Sequence, residues 1–205
     1  MAISTYSELK SAIADWLNRS DLTSVIPSFI ELAEAELTRN LRHRKMIARA
    51  DATINSEYTQ TPLDWFQTQT LILETDPVTT LEYLTPEALN AKRAASTANG
   101  KPLFYTMIGT EIQVYPVPSG DHTAEMVYYA KIPSLSDSET TNWLLTLAPD
   151  IYLYGSLMQS APYLQDDNRL SVWNALYQKK IEDIYISDQR TTGQTSVVMR
   201  AAVLG

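Results

Sequence analysis

Two periods of apolar residues divide this chain. Toward the C-terminus Ile151, Tyr154, Leu157, Met158 and Ala161 recur at helical spacing. Pro149 suits a first helical position, where a missing N–H costs nothing, and Pro162 falls where that helix is expected to stop. Asp166, Asp167 and Asn168 supply capping oxygens for a second helix, with Leu170, Trp173, Leu176, Tyr177, Ile181 and Ile184 as its stripe. Arg190 closes it, and Gly193 reads as the residue just beyond its end. The N-terminus repeats the pattern. Thr5-Tyr6-Ser7-Glu8 is a capping box, followed by Leu9, Ala12, Ile13, Trp16 and Leu17 on one face. After a polar break at 18–21, Ser24 and Pro27 start a further helix carrying Ile26, Ile30, Ala33, Leu37 and Leu41. No single stripe hides itself, so the helices of the two ends are expected to pack together.

From Met46 the period changes to two. Met46, Ala48, Ala50, Ala52 and Ile54 alternate with Ile47, Arg49, Asp51 and Thr53, the pattern of a half-buried strand. Residues 58–61 read as loop. Strand-like segments follow at 65–66, 71–73 and 78–84, with Asp76-Pro77 as a turn. Thr85-Pro86 opens a short helix to about Arg93. Residues 104–108 and 111–115 flank Gly109-Thr110 as a hairpin, closed by Pro116 and Pro118. His122 falls in the next loop, 124–132 is a last strand, and 133–141 is a polar connector.

Helices, then five or six strands with one short helix, then helices again argue for an α+β fold. The expected architecture is a helical bundle from both chain ends (1–45 and 137–190), with a small antiparallel β domain inserted at 46–136. Residues 191–205 form an extended C-terminal tail. That tail is apolar with a single charge: Val197, Val198, Met199, Arg200, Val203 and Leu204. A free end of this composition frays unless it lies on a surface, either its own subunit's or a neighbouring chain's, by strand addition or groove docking.

Composition narrows the chemistry. The 205 residues are 44% hydrophobic and 20% charged, in the globular range. There is no cysteine, which excludes disulfides and thiolate metal sites. The two histidines, His43 and His122, are far apart in sequence, so no metal and no cofactor is expected. The net charge of −8 argues against nucleic-acid binding as the main activity. The one basic run, Arg39, Arg42, Arg44 and Lys45, complements the negative end of its helix; the alternative reading is a contact patch for an acidic protein surface or for DNA. Residues 1–9 lack a basic and an apolar region, so no secretory signal is expected, and no run of about 18 apolar residues predicts a membrane span.

No nucleophile elbow, P-loop or paired-histidine zinc motif is present, so an enzyme is not expected. Asp166-Asp167 and Glu182-Asp183 are adjacent acids of the kind that start helices or line solvated faces. The chain holds 12 tyrosines and 4 tryptophans. Trp16, Trp173 and Tyr154 fall on helical stripes and are expected in the core. Tyr105, Tyr128 and Tyr129 occupy both faces of strands, which fits either a sheet covered by another chain or one packed on helices with its hydroxyls in water.

Several segments in order, 100–106, 112–116, 128–136, 141–145, 149–155 and 163–167, together with Thr5-Tyr6-Ser7-Glu8-Leu9 and Glu34-Ala35-Glu36-Leu37, resemble tailed-phage head-to-tail adaptor proteins over residues 3–190. The resemblance implies a virion protein of the tail neck, assembled in the host cytoplasm. It implies a homo-oligomeric ring, usually of twelve copies, below the portal protein. Such a ring extends the channel for genomic DNA, without sequence-specific binding, and meets downstream tail nozzle or tail-fibre proteins. It also implies a tail that docks on the portal, here through Val197, Val198, Met199, Arg200, Val203 and Leu204. Two alternatives remain from the residues: a virion-associated peptidoglycan-degrading accessory protein using two carboxylates, and a DNA-contacting channel module using Arg39 to Lys45.

Overall fold

The computed structural model describes residues 3–164 and 169–191. In chain order its elements are α1 (Tyr6–Leu17), α2 (Ile26–Asn40), a 3-10 turn (Arg44–Met46), β1 (Ile47–Ile54), β2 (Tyr58–Gln60), β3 (Trp65–Leu73), β4 (Thr79–Thr80) and β5 (Glu82–Tyr83). There follow α3 (Pro86–Ala95), β6 (Phe104–Ile108), β7 (Glu111–Tyr115), β8 (His122–Ala130), α4 (Trp143–Leu147), α5 (Pro149–Leu164) and α6 (Leu170–Thr191). The chain mixes helices with small antiparallel sheets, as its two periods predict. It separates into two compact units. One takes the chain up to Arg44 and from Ile132 onward; the other is Lys45–Lys131.

In the helical unit α5 packs against α1, α2, α4 and α6. The capping box forms: Thr5 Oγ1 accepts from Glu8 N at 3.3 Å, and Glu8 Oε2 accepts from Thr5 N at 3.1 Å. Leu9, Ala12, Ile13 and Leu17 are buried as their spacing predicts. Trp16, expected in the core, is 45% exposed in the last turn of α1, its ring edge-on to the half-buried Tyr154. Pro27 lies in the first turn of α2, but Val25 precedes the helix without a side-chain cap, so Ser24 does not cap it.

The buried face of α5 is wider than its predicted stripe. It holds Tyr152, Leu153, Gly155, Ser156 and Ser160 as well as Ile151, Leu157 and Ala161, while Tyr154 and Met158 are half-buried. A helix with partners on several sides loses the one-sided pattern that reveals a surface helix. At Gly155 α2 and α6 come close: a Cβ there would stand 3.2 Å from Tyr177 Cε2 and 3.4 Å from Ala33 Cβ. Pro162 does not stop α5, which runs on to Leu164; in the last turn a proline removes only one helical hydrogen bond. On α6 only Trp173, Tyr177 and Ile184 of the predicted stripe are fully buried, and Leu170 is exposed. The expected caps at 166–168 and Gly193, and the tail 192–205, lie outside the described residues.

The second unit contains two four-stranded sheets, ordered β1-β8-β3-β4 and β2-β7-β6-β5. Every pairing is antiparallel except β5 with β6. Eight strands replace the expected five or six, because β2, β4 and β5 span only two or three residues and cannot show a period. Residues 58–60, expected as loop, pair with β7. The single strand expected at 78–84 is instead β4 in one sheet and β5 in the other. Leu81, buried between them, donates its N–H to Leu71 O at 2.9 Å. His122, expected in a loop, begins β8 opposite Ile54. The hairpin forms as predicted, with Gly109 at φ 62°, a conformation glycine adopts without strain. Ile54, Leu71, Leu73, Leu81, Tyr105, Ile112, Val114, Ala124, Met126 and Tyr128 join the two sheets in one core.

Candidate functional site

The basic run at the end of α2 is divided. Arg42 turns back on its own helix, donating from Nη1 to the carbonyls of Thr38, Arg39 and Leu41 at 3.3, 3.1 and 2.7 Å. Arg44 is anchored to α6, its backbone N–H on Asp188 Oδ2 at 3.2 Å and its Nε 3.4 Å from Asp188 Oδ1. Between them His43 is buried, stacked on Trp143 at 5.3 Å, with Nε2 3.3 Å from Asp188 Oδ1. Arg39 and Lys45 are exposed. The run therefore clamps the end of α2 to α6 as well as presenting charge. Val197, Val198, Met199, Arg200, Val203 and Leu204 lie outside the described residues.

A second polar cluster was not singled out from the sequence. Glu34 is only 6% exposed. Its Oε1 accepts from Leu135 N at 2.9 Å and from the Tyr152 hydroxyl at 3.2 Å. Asn142 donates to that hydroxyl and to Pro133 O, both at 2.6 Å, and its Oδ1 accepts from Leu145 N at 2.8 Å, capping α4. Burial pushes the Glu34 carboxyl up, against the lowering effect of its hydrogen bonds; burial and the neighbouring Glu34 push the Tyr152 hydroxyl up. The cluster ties α2, the 132–142 connector, α4 and α5 together. A signal existed: Glu34 falls in the middle of the apolar stripe of α2, although its neighbours in sequence place it in a charge gradient.

In the sheet unit Tyr105 and Tyr128 belong to the core, and Tyr129 is half-buried on the other face. The Tyr128 hydroxyl donates to Asp64 Oδ1 at 2.9 Å and is pushed up to about 12, by burial first and then by that carboxylate. Asp51, Glu74 and Glu125 bring carboxylate oxygens within 4.8 Å of one another. Arg49 bridges two of them, at 3.1 Å to Asp51 and 2.7 Å to Glu125, so the trio is already partly neutralised. His122 contributes no ligand to the trio; its Nε2 is buried without a hydrogen-bond partner among the described residues. Of the paired acids, Asp183 lies 3.9 Å from Lys180, which is held 3.0 Å from Asp150.

The open side of this unit runs between the edge strands β1 and β2. A groove of about 240 Å³ lies there, floored by Leu71, Ile112, Ala124 and Met126 and walled by Ala50 and Ala52 of β1 and residues 59–62. None of the described helices is long and apolar enough to cross a membrane.

The helical unit is pinned by buried polar bonds, and the sheet unit has a groove along one edge; the class of the protein comes from its sequence family. The sequence model of the SU10 adaptor protein family matches residues 4–200, and the chain belongs to that family. Membership supports a phage head-to-tail adaptor with a structural role in the virion neck, interacting with portal and tail proteins. No individual curated protein matches the chain.

Proposed function

We propose that the protein assembles as a ring, of twelve copies, below the phage portal, extends the DNA channel and offers the attachment surface for nozzle or tail-fibre proteins. The family match over residues 4–200 carries this reading. It includes Val197, Val198, Met199 and Arg200 of the apolar tail and ends before Val203 and Leu204; in this reading these six residues dock on the portal. In this reading the helices form the bundle that stands beside its neighbours, and the sheet unit faces neighbours or downstream tail proteins. The net charge of −8 suits a lumen past which DNA moves without adhering. Two of the four basic side chains at 39–45 are engaged with carbonyls and with Asp188, which favours this reading over a DNA-contacting module.

The test is deletion of residues 194–205 in the phage. Particles should then lose the protein and leak their DNA, and the purified variant should no longer gain mass on mixing with the portal. Particles that keep both protein and DNA would sink the docking role of the tail.

A further inference from the structure

Sheets with free edges usually protect them by shortness, proline, lysine or a bulge. Three of the four edges in the sheet unit follow that rule: β2, β4 and β5 span three, two and two residues. The fourth has only the charges of Arg49 and Asp51. β1 is eight residues long, contains neither proline nor lysine, and pairs with β8 in an unbroken register from Ile47↔Tyr129 to Ile54↔His122. Of its alternate positions that line the groove, Ala50, Ala52 and Ile54, two are alanine. Small side chains there leave room for the groove above Leu71, Ile112, Ala124 and Met126, core residues that are themselves no more than 4% exposed.

The other face of β1 is acidic. Asp51 stands opposite Glu125, and Glu74 completes the trio; three carboxylates against the one guanidinium of Arg49 leave negative charge in excess. A strand laid along β1 would therefore need apolar side chains at alternate positions toward the groove and a cation between them. Residues 197–203 read Val-Val-Met-Arg-Ala-Ala-Val. Val197, Met199, Ala201 and Val203 share one parity, and Arg200, the single charge of the tail, has the other. A fully extended chain rises roughly 3.3 Å per residue, so a segment the length of 192–205 spans on the order of 45 Å.

We infer that the groove beside β1 receives residues 197–203 of a neighbouring copy as an added strand, with Arg200 facing Asp51. These residues are also the ones proposed to dock on the portal, so the two uses exclude each other at any one tail. The β1 groove holds the tail of a subunit that has not yet met a portal, shields its apolar side chains and lets the portal take it over.

The absence of native cysteine makes a disulfide test clean. Full-length Ala50→Cys protein is mixed with full-length Met199→Cys or Ala201→Cys protein under mild oxidation, and mixed disulfides are read by mass. The expected result is a heterodimer between the two variants. Adding Asp51→Lys should cut its yield several-fold, and combining Asp51→Lys with Arg200→Glu should restore it. Asp51 is exposed, so its reversal leaves the fold intact and isolates the charge effect. A yield no higher than with an exposed control cysteine at Ser138, or one indifferent to both charge reversals, overturns the inference. So does a disulfide that closes only within one chain when positions 50 and 201 are both cysteine. Failure here, while deletion of 194–205 still costs particles their DNA, would leave the portal reading standing.

Discussion

The two units bury polar groups to different ends. In the helical unit Glu34, Asn142 and Tyr152 exchange hydrogen bonds, and the two bonds to Glu34 join segments 101 and 118 residues apart. In the sheet unit the core cluster is aliphatic and aromatic; of the buried polar side chains there, Gln113 donates to Glu57 Oε1 at 2.6 Å, an oxygen that Arg93 also meets at 2.7 Å, and the fully buried Thr106 hydroxyl has no hydrogen-bond partner among the described residues. Apolar packing tolerates substitution as long as volume is kept, whereas a buried carboxylate works only if its donors arrive together. The helical unit is thus specified by geometry and the sheet unit by volume. The sheet unit accordingly leaves an edge open that an outside strand can complete.

The sharpest way to break this contrast is Glu34→Ala. It leaves the Leu135 N–H and the Tyr152 hydroxyl buried without their acceptor and opens a cavity, a loss of about 4 kcal/mol. Amide exchange should speed up in α2 and α5 and leave β8 unchanged. Equal acceleration in β8 would show that the two cores melt as one. The converse is Leu73→Ala, at a fully buried site in the sheet core. The expected cost is about 3 kcal/mol, felt in β3 and β8 first. A cost below about 1 kcal/mol would mean that the sheet core collapses around the loss, so that volume does not specify it.

Both sites show how much could be read in advance. Leu73 belonged to a visibly apolar run, and the hairpin at 104–115 and the capping box at Thr5 were legible because every determinant lies within a few residues. β2, β4 and β5 were not, since two residues have no period and their pairing is decided by strands far along the chain. The inward face of α5 was misread for the opposite reason: Tyr152 and Ser156 are buried by partners on sides where a surface helix has water. The groove beside β1 was the least accessible, because Ala50, Pro62, Ile112 and Met126 meet only through the topology of two sheets. What is visible there is the alternation of a half-buried strand, whose Ala50 and Ala52 form one wall of the groove.

A smaller effect tests the electrostatics of the helical core. The Glu34 carboxyl is raised above its ordinary value of 4.5, mainly by burial. A carboxyl raised on folding holds more protons folded than unfolded between its two values. Stability from this group is therefore full at low pH and falls as pH climbs from 4.5 through the folded-state value. Glu34→Gln should flatten that limb of the stability curve while leaving the rest unchanged. A slope that persists in the variant would assign it to another group.

The smallest expected effect lies at the first turn of α1, where the contrast predicts local damage only. Thr5→Ala removes the hydroxyl that accepts from Glu8 N, and capping losses of this kind are about 1 kcal/mol. Glu8 Oε2 keeps its bond from the backbone N–H of residue 5 at 3.1 Å, so half of the box survives, and it keeps its bonds from Ser4 N and Ser4 Oγ at 2.8 and 2.6 Å. Those bonds, the Ser4 hydroxyl first, hold the Glu8 carboxyl below its ordinary value. Its contribution is present above the ordinary carboxylate range and is lost as pH falls, the reverse of Glu34. Faster amide exchange should be confined to the first turn of α1 and grow on acidification. Spread of the effect to α5 would mean that the end of α1 is coupled to the Glu34 cluster, and that the helical unit is specified as one network and not bond by bond.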